Sequence, residues 1–359
     1  MRKEKMAQQR VDWVDAAKGI CIIFVVMMHS TLGVEKAVGE TNWMHIIVAF
    51  AAPFRMPDFF LISGLFLAAV LDRNWRKYVD LKVVHFFYFY ALWVTIQFLF
   101  KAPSLASEYG IGITALLYLK SYIEPFGTLW FIYILPIFFV VTKAAHNLHI
   151  PIWMTGLFAA LLHLAGVDTD WHLANEFASR YVFFFAGYAL APLIFRIAEW
   201  ARHHMSLTAV FLVIWALING GLVWARLAST PVFSLPLGFA GAVALICVAS
   251  LMVKMPPAAP IAWLTTPITW LGANSIVIYL AFFLPMAITR SILLKTGIIP
   301  DLGTVSILVT TAGVVGPAIF YLILKRLNIA LFLFERPAWA RMAHTAPSPN
   351  GQVVIKPSE

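Results

Sequence analysis

The chain has 359 residues, 61% of them hydrophobic and only 12% charged, with a formal net charge of +9. A soluble domain carries about twice that charged fraction. Composition therefore excludes an ordinary soluble enzyme and predicts an all-α polytopic membrane bundle, its basic excess serving topology and anionic-lipid contact and not a nucleic-acid patch.

A basic segment with Arg2, Lys3, Lys5 and Arg10 precedes the first apolar run, 14–34. That run has no small-residue cleavage site, so it is expected to stay in the protein as a span. It nevertheless contains Asp15, Lys18 and His29. Ionisable groups inside a spanning helix are costly and usually face a bundle interior or a wet cavity. Asp15 suits the positive end of the helix, and Lys18 is able to snorkel to the headgroups. His29 lies deeper and has no local charge partner. Lys18 and His29 are eleven positions apart, which at about 100° per residue brings both onto one stripe, roughly 16 Å apart along the axis.

The second run, 45–71, is too long for one straight helix, and Pro53 and Pro57 are expected to break it into an outer piece and a membrane helix. Arg55 and Asp58 fall near mid-membrane, at about the height of His29. The two could neutralise each other one turn apart, but burying such a pair seldom adds stability and so calls for another reason. The hydroxyl of Ser63 is expected to bond back to its own helix, with Gly64 permitting close packing. The following inner loop holds Asp72, Arg73, Asn74, Trp75 and Arg76. Its two arginines, read as lying on one helical face, suit a phosphorylated ligand, and positive-inside charge explains them equally well.

Further spans are expected at 81–100, 127–142, 150–167, 178–195, 206–226, 232–253, 270–292 and 304–324, about ten in all. Ile111 to Leu119 is apolar but too short to cross and reads as an interfacial or re-entrant helix. Basic clusters at 2–10, 73–82, 196–202 and 325–341 place both termini in the cytoplasm. Cys21 and Cys247 read as small core residues, and no His or Cys cluster has metal-ligand spacing. His203 and His204 read as solvated. Residues 1–340 form the membrane domain, and the polar, Pro-containing tail 341–359 is expected to be disordered.

His29, Arg55 and Asp58 form a constellation that could do chemistry. A neutral imidazole can take a proton from a hydroxyl as it attacks an acyl carbonyl. Arg55 could hold the carbonyl oxygen or a phosphate, and Asp58 could orient the ring.

The sequence also resembles the integral-membrane acyltransferase 3 family, over Arg10 to about Leu327. RVDWVDAAKGICIIFVVMMH is similar to that family's R-x-x-x-D-x-x-[RK]-G-[IL] followed by an apolar run and His. MPDFFLISGLFLA matches its FF-x-[IL]-SG segment, and Arg73 and Arg76 match an inner-loop R-x-x-R. GTLWFIYILPIFF, with Trp130, resembles its LWF segment, and LGANSIVIYLAFFLP, with Ser275 and Tyr279, its late LG-x-x-S-x-x-[IL]-Y-L segment. The closest resemblance is to single-domain, inner-membrane bacterial members. It implies O-acylation of a carbohydrate or other polar acceptor, with an acyl-CoA, often acetyl-CoA, as donor and no metal. His29 would then be the catalytic residue and Lys18 its motif partner, while Arg73 and Arg76 would serve the acyl-CoA phosphates. Arg10, Asp15, Ser63, Trp130, Ser275 and Tyr279 would complete the substrate-binding or structural set. Two features depart from the pattern. Ala281-Phe282-Phe283 stand where many members carry a late His, and Asp58 replaces a residue that is usually apolar. A transporter or exporter of a polar or glycan substrate would also carry buried charges, and it predicts paired broken spans where the sequence shows one strongly Pro-interrupted run. A structural membrane subunit would use the same charges only for packing.

Overall fold

The structure is a computed structural model that describes residues 11–256 and 258–342, with the short pairs 345–346 and 354–355. Arg10 and most of the tail expected to be disordered lie outside the described residues. Within that tail, Thr345–Ala346 pairs antiparallel with Val354–Ile355.

In chain order the helices are α1 (Asp12–Val38), α2 (Met44–Ala51), α3 (Arg55–Gly64), α4 (Ala68–Leu71), α5 (Trp75–Val79), α6 (His85–Tyr109), α7 (Ile111–Lys120), α8 (Trp130–Asn147) and α9 (Ile152–Leu164). They continue as α10 (His172–Ala189), α11 (Ala191–His203), α12 (Met205–Trp224), α13 (Pro231–Lys254), α14 (Thr265–Ala273), α15 (Ser275–Ala281), α16 (Phe283–Thr296) and α17 (Leu302–Leu327). The chain is an all-α polytopic membrane bundle. Among the described residues 6 helical stretches are long and apolar enough to cross a membrane, or up to 9 if each of three bent helix pairs is one span. One of the ten expected spans, 150–167, is α9, whose 13 residues reach only about 20 Å against the roughly 30 Å of a hydrocarbon core.

Three breaks shape the bundle. Between α2 and α3 the axis bends by 41°. Pro53 sits in that break, but Pro57 falls in the first turn of α3, where a missing N–H is tolerated. The broken backbone is partly satisfied by Asn219 of α12, whose Nδ2 donates to the Phe50 carbonyl at 2.9 Å. The α10–α11 pair bends by 76° and the α14–α15 pair by 70°. At the latter break Asn274 turns its Nδ2 back onto the Trp270 carbonyl at 2.8 Å.

The chain forms two compact units. One comprises Met1–Leu67, Ile152–Asp168 and Ala178–Phe320. Its core gathers Trp13, Val14, Cys21, Leu61, Leu65, Ile194, Leu245 and Ile246, so α1 is packed by α3, α11 and α13. Small residues allow the closest approaches. A Cβ on Gly19 would overlap the Ile268 carbonyl of α14, and one on Gly272 would overlap the Asp15 carbonyl of α1. The K-G and L-G pairs of the two sequence motifs are thus two sides of one backbone-to-backbone contact. Gly64 and Gly187 play the same part between α3 and α10.

The second unit comprises Ala68–Pro151, Thr169–Phe177 and Tyr321–Glu359. A π-turn at Asp80–Val84 leads into α6. Arg336, read from the sequence as inner-surface charge, is instead buried. Its Nη2 donates to Asp80 Oδ2 and its Nη1 to the Asp80 carbonyl, both at 2.9 Å. Trp93 Nε1 donates to the Leu333 carbonyl at 2.8 Å, and Tyr88 Oη to that of Phe332 at 2.9 Å, which fastens the segment after α17 onto α6. Lys143 is also buried and donates to the carbonyls of Leu71 and Arg73, capping the end of α4.

Candidate functional site

The site is built on α1, an unbroken helix of 27 residues. Continuity preserves the spacing read from the sequence, so Lys18 and His29 share a face. Lys18 does not simply snorkel. Its Nζ lies 4.0 Å from Asp15 Oδ1, and Asp15 is buried.

His29 is half-buried, and its ring packs against Phe282 at a centroid distance of 5.4 Å. No hydrogen bond to the imidazole is found among the described residues. Phe282 belongs to the run that stands in place of the family's late His. The departure noted in the sequence is therefore a residue in contact with the central imidazole.

Arg55 opens α3 and is close enough to His29 to act on it electrostatically. Arg55 Nη1 reaches the Val48 carbonyl at 3.4 Å, while its Nε is buried without a hydrogen-bond partner among the described residues. Asp58, one turn on, is fully buried, and neither carboxylate oxygen has a hydrogen-bond partner among the described residues. The orienting bond to His29 is thus not formed, nor is an ion pair with Arg55. The field of Asp58 falls instead on Cys21, about two turns back along α1. A buried, unsatisfied carboxyl in a membrane helix costs several kcal/mol and calls for an explanation.

Ser63 donates to the Phe59 carbonyl at 2.7 Å, as expected of a helix-facing hydroxyl. Ser275 starts α15 directly after the Asn274 break, and Tyr279 is buried with its ring 6.3 Å from Phe282. In the second unit, Trp130 opens α8 with its ring 6.4 Å from His172. Arg73 and Arg76 do not share a helical face. Asn74 caps α5 by accepting from Lys77 N at 2.9 Å, so the helix starts after it and Arg73 remains in the preceding bend. Arg73 is half-buried and Arg76 exposed, a placement that leaves guanidinium groups available to phosphates.

Sequence reading missed several polar groups. Glu35, in the last turns of α1, accepts from Asn42 N at 3.1 Å and Nδ2 at 3.2 Å, and from His45 Nδ1 at 2.9 Å. It thereby closes the α1–α2 turn, and it lies just beyond the span drawn as 14–34. His163 and Arg180 fall inside apolar runs and carry the same signal that singled out His29, whereas Arg226 reads only as a charge at the end of a span. All three line, with Arg55, a cavity of about 650 Å3 in the first unit.

A family model described as "Acyltransferase domain" matches residues 11–325. The chain is 28% identical over 192 residues to the Escherichia coli (strain K12) protein named "Inner membrane protein YcfT", a match covering 47% of this chain and 53% of that protein. The chain thus spans about half the length of the curated relative it matches. No solved structure matches it.

Proposed function

Because the chain belongs to the acyltransferase family that its residues 11–325 match, we propose that it is a membrane O-acyltransferase with His29 at its reacting centre. One observation carries this reading: an imidazole in a membrane helix, without a hydrogen bond among the described residues, with a guanidinium within electrostatic reach. The acyl group, acetyl in the simplest case, comes from an acyl-CoA thioester. The acceptor is a hydroxyl of a carbohydrate or another polar molecule.

His29 accepts the hydroxyl proton as the acceptor oxygen bonds the acyl carbon. The carbon–sulfur bond then breaks, and the departing thiolate takes the proton back from the imidazolium. Where His29 instead carries the acyl group, its nitrogen attacks first and the hydroxyl second, with the same balance. Arg55 stabilises negative charge on the carbonyl oxygen, and Lys18, held by Asp15, completes the motif. The family resemblance gives Arg73 and Arg76 to the donor phosphates, and the half-buried Arg73 in the bend and the exposed Arg76 in the first turn of α5 fit that role. Both termini are cytoplasmic, and the protein resides in the inner membrane, as the name of its relative states for that protein.

Single-turnover transfer from labelled acetyl-CoA, with the protein in proteoliposomes, tests the reading. His29→Ala is expected to abolish transfer without changing thermal stability. Wild-type turnover in that variant would overturn the assignment. The three bent pairs favour a second reading, translocation without chemistry, because discontinuous helices commonly line transport sites. Counterflow of a polar substrate in the same liposomes, without acyl transfer, would establish it.

A further inference from the structure

The cavity that Arg55 lines is assembled within the first unit. It takes Arg55 from the α2–α3 break, His163 from the end of α9, Ser179 and Arg180 from α10, Arg226 from the turn after α12, and Ser234 from the start of α13. The remaining wall is small or apolar apart from Ser229, and neither Asp nor Glu is among the lining residues. Its volume, about 650 Å3, is in the range that encloses a small organic ligand.

Three arginines therefore line one space that has no Asp or Glu among its lining residues. Arg55 and Arg180 are close enough to repel each other. Arg226 makes no hydrogen bond or ion pair among the described residues. It also occupies a left-handed backbone position, φ 58, directly after the end of α12, where glycine is the favoured residue. A non-glycine residue kept at such a position invites a functional explanation.

Polar groups that would meet hydroxyls lie beside these charges. The Ser179 carbonyl only accepts, so His163 Nδ1 must donate to it, at 2.8 Å. His163 Nε2 meets Ser234 Oγ at 2.8 Å. This pair of bonds ties α9, α10 and α13 together and fixes the imidazole against the cavity.

The geometry points to this cavity as the binding site for a phosphate ester of a sugar or polyol, its phosphate held by Arg55, Arg180 and Arg226 and its hydroxyls by the serines of the wall, one of which, Ser234, is positioned by His163. Guanidinium groups suit phosphate oxygens because their planar forks donate two parallel bonds. The inference rests on the acyltransferase reading in treating this ligand as the acceptor. Arg55 then belongs both to the cavity and to the electrostatic surroundings of His29. The same chemistry is offered by a soluble sugar phosphate and by the headgroup of an anionic lipid.

Binding is measured without any acyl donor, which separates this inference from the acyl-transfer reading. The full chain in phosphatidylcholine nanodiscs is titrated with glucose 1-phosphate and with glucose, and its melting is followed in nanodiscs doped with phosphatidylglycerol. Glucose 1-phosphate is expected to bind where glucose does not. Arg226→Gly removes a guanidinium while relieving the left-handed position, so it should fold at least as well. Loss of a hydrogen bond between charged groups should raise Kd about 10- to 100-fold. Stabilisation only by phosphatidylglycerol, lost in Arg226→Gly, supports the same site with a lipid headgroup as its source. Equal binding of glucose and glucose 1-phosphate, or an Arg226→Gly variant unchanged in both arms, overturns the inference. Should both arms fail while acyl transfer to a neutral acceptor proceeds, the acyltransferase reading stands and this site falls. Should binding hold while transfer fails, the reverse follows.

Discussion

Gly19→Ala puts the backbone contact between α1 and α14 under direct test. A Cβ at Gly19 would stand 2.9 Å from both the carbonyl carbon and Cγ2 of Ile268, and closer still to the carbonyl oxygen, where ordinary contact begins at 3.4 Å. The obstacle is mostly backbone, so no rotamer change clears it, and relieving the contact with the carbonyl oxygen requires the helices to part by about 1 Å. Overpacking of this kind costs about 1–3 kcal/mol, against which the better helix propensity of alanine returns about 1 kcal/mol. Gly33 of the same helix is the internal control. A Cβ there would meet only the Nη1 end of the Arg290 side chain, which can swing away, so Gly33→Ala should be neutral or stabilising by up to about 1 kcal/mol. Thermal melting of the two variants, followed by loss of the monodisperse peak on size-exclusion chromatography, reads the difference. Gly19→Ala should also lower acyl transfer, because Lys18 is its neighbour and α14 leads through α15 to Phe282 beside His29. Identical melting of the two variants would refute the claim that this contact fixes the α1–α14 distance.

Removing one partner of the buried Asp80–Arg336 pair should be far worse than removing both. Asp80→Ala is expected to cost about 3–5 kcal/mol, and the double change Asp80→Leu with Arg336→Met to restore much of that loss. Equal melting of the single and double variants would contradict it. Asp58→Asn keeps the shape of a buried group that has no hydrogen-bond partner among the described residues and removes its ionisation, so it should hold or raise the melting temperature. A marked fall would reveal a stabilising partner for the carboxylate. Asp301, exposed ahead of α17, has its carboxyl held below the ordinary value, chiefly by the Thr304 hydroxyl, then by the Thr304 N–H and the Trp43 indole. A lowered folded value means that its stabilisation is present above the unfolded carboxylate value and is lost as pH falls through the folded one. The melting difference between wild type and Asp301→Ala should therefore shrink in acid, and a difference that grows would reverse the sign. Phe282→Ala, which removes a fully buried ring from the space beside His29, should cost about 3–5 kcal/mol. A near-neutral variant would show that the space collapses.

Much of this protein was legible along single stretches of chain. Apolar runs located nine of the helical spans or bent pairs, because crossing a hydrocarbon layer imposes a length that any window can measure. The cost of an ionisable group in such a run singled out His29, Arg55 and Asp58, and helical periodicity aligned Lys18 with His29. Where that reasoning failed, the missing information lay between stretches. The face shared by Arg73 and Arg76 was lost to the cap at Asn74, and Arg336 proved buried because Asp80, far away in sequence, receives it. Only the tertiary structure decided that Gly19 meets Gly272, that Phe282 lies on His29, and that Arg55, Arg180 and Arg226 line one cavity. The physical reason is that periodicity fixes where a side chain stands on its own helix, whereas its neighbour on the next helix depends on which small residues let two backbones close together.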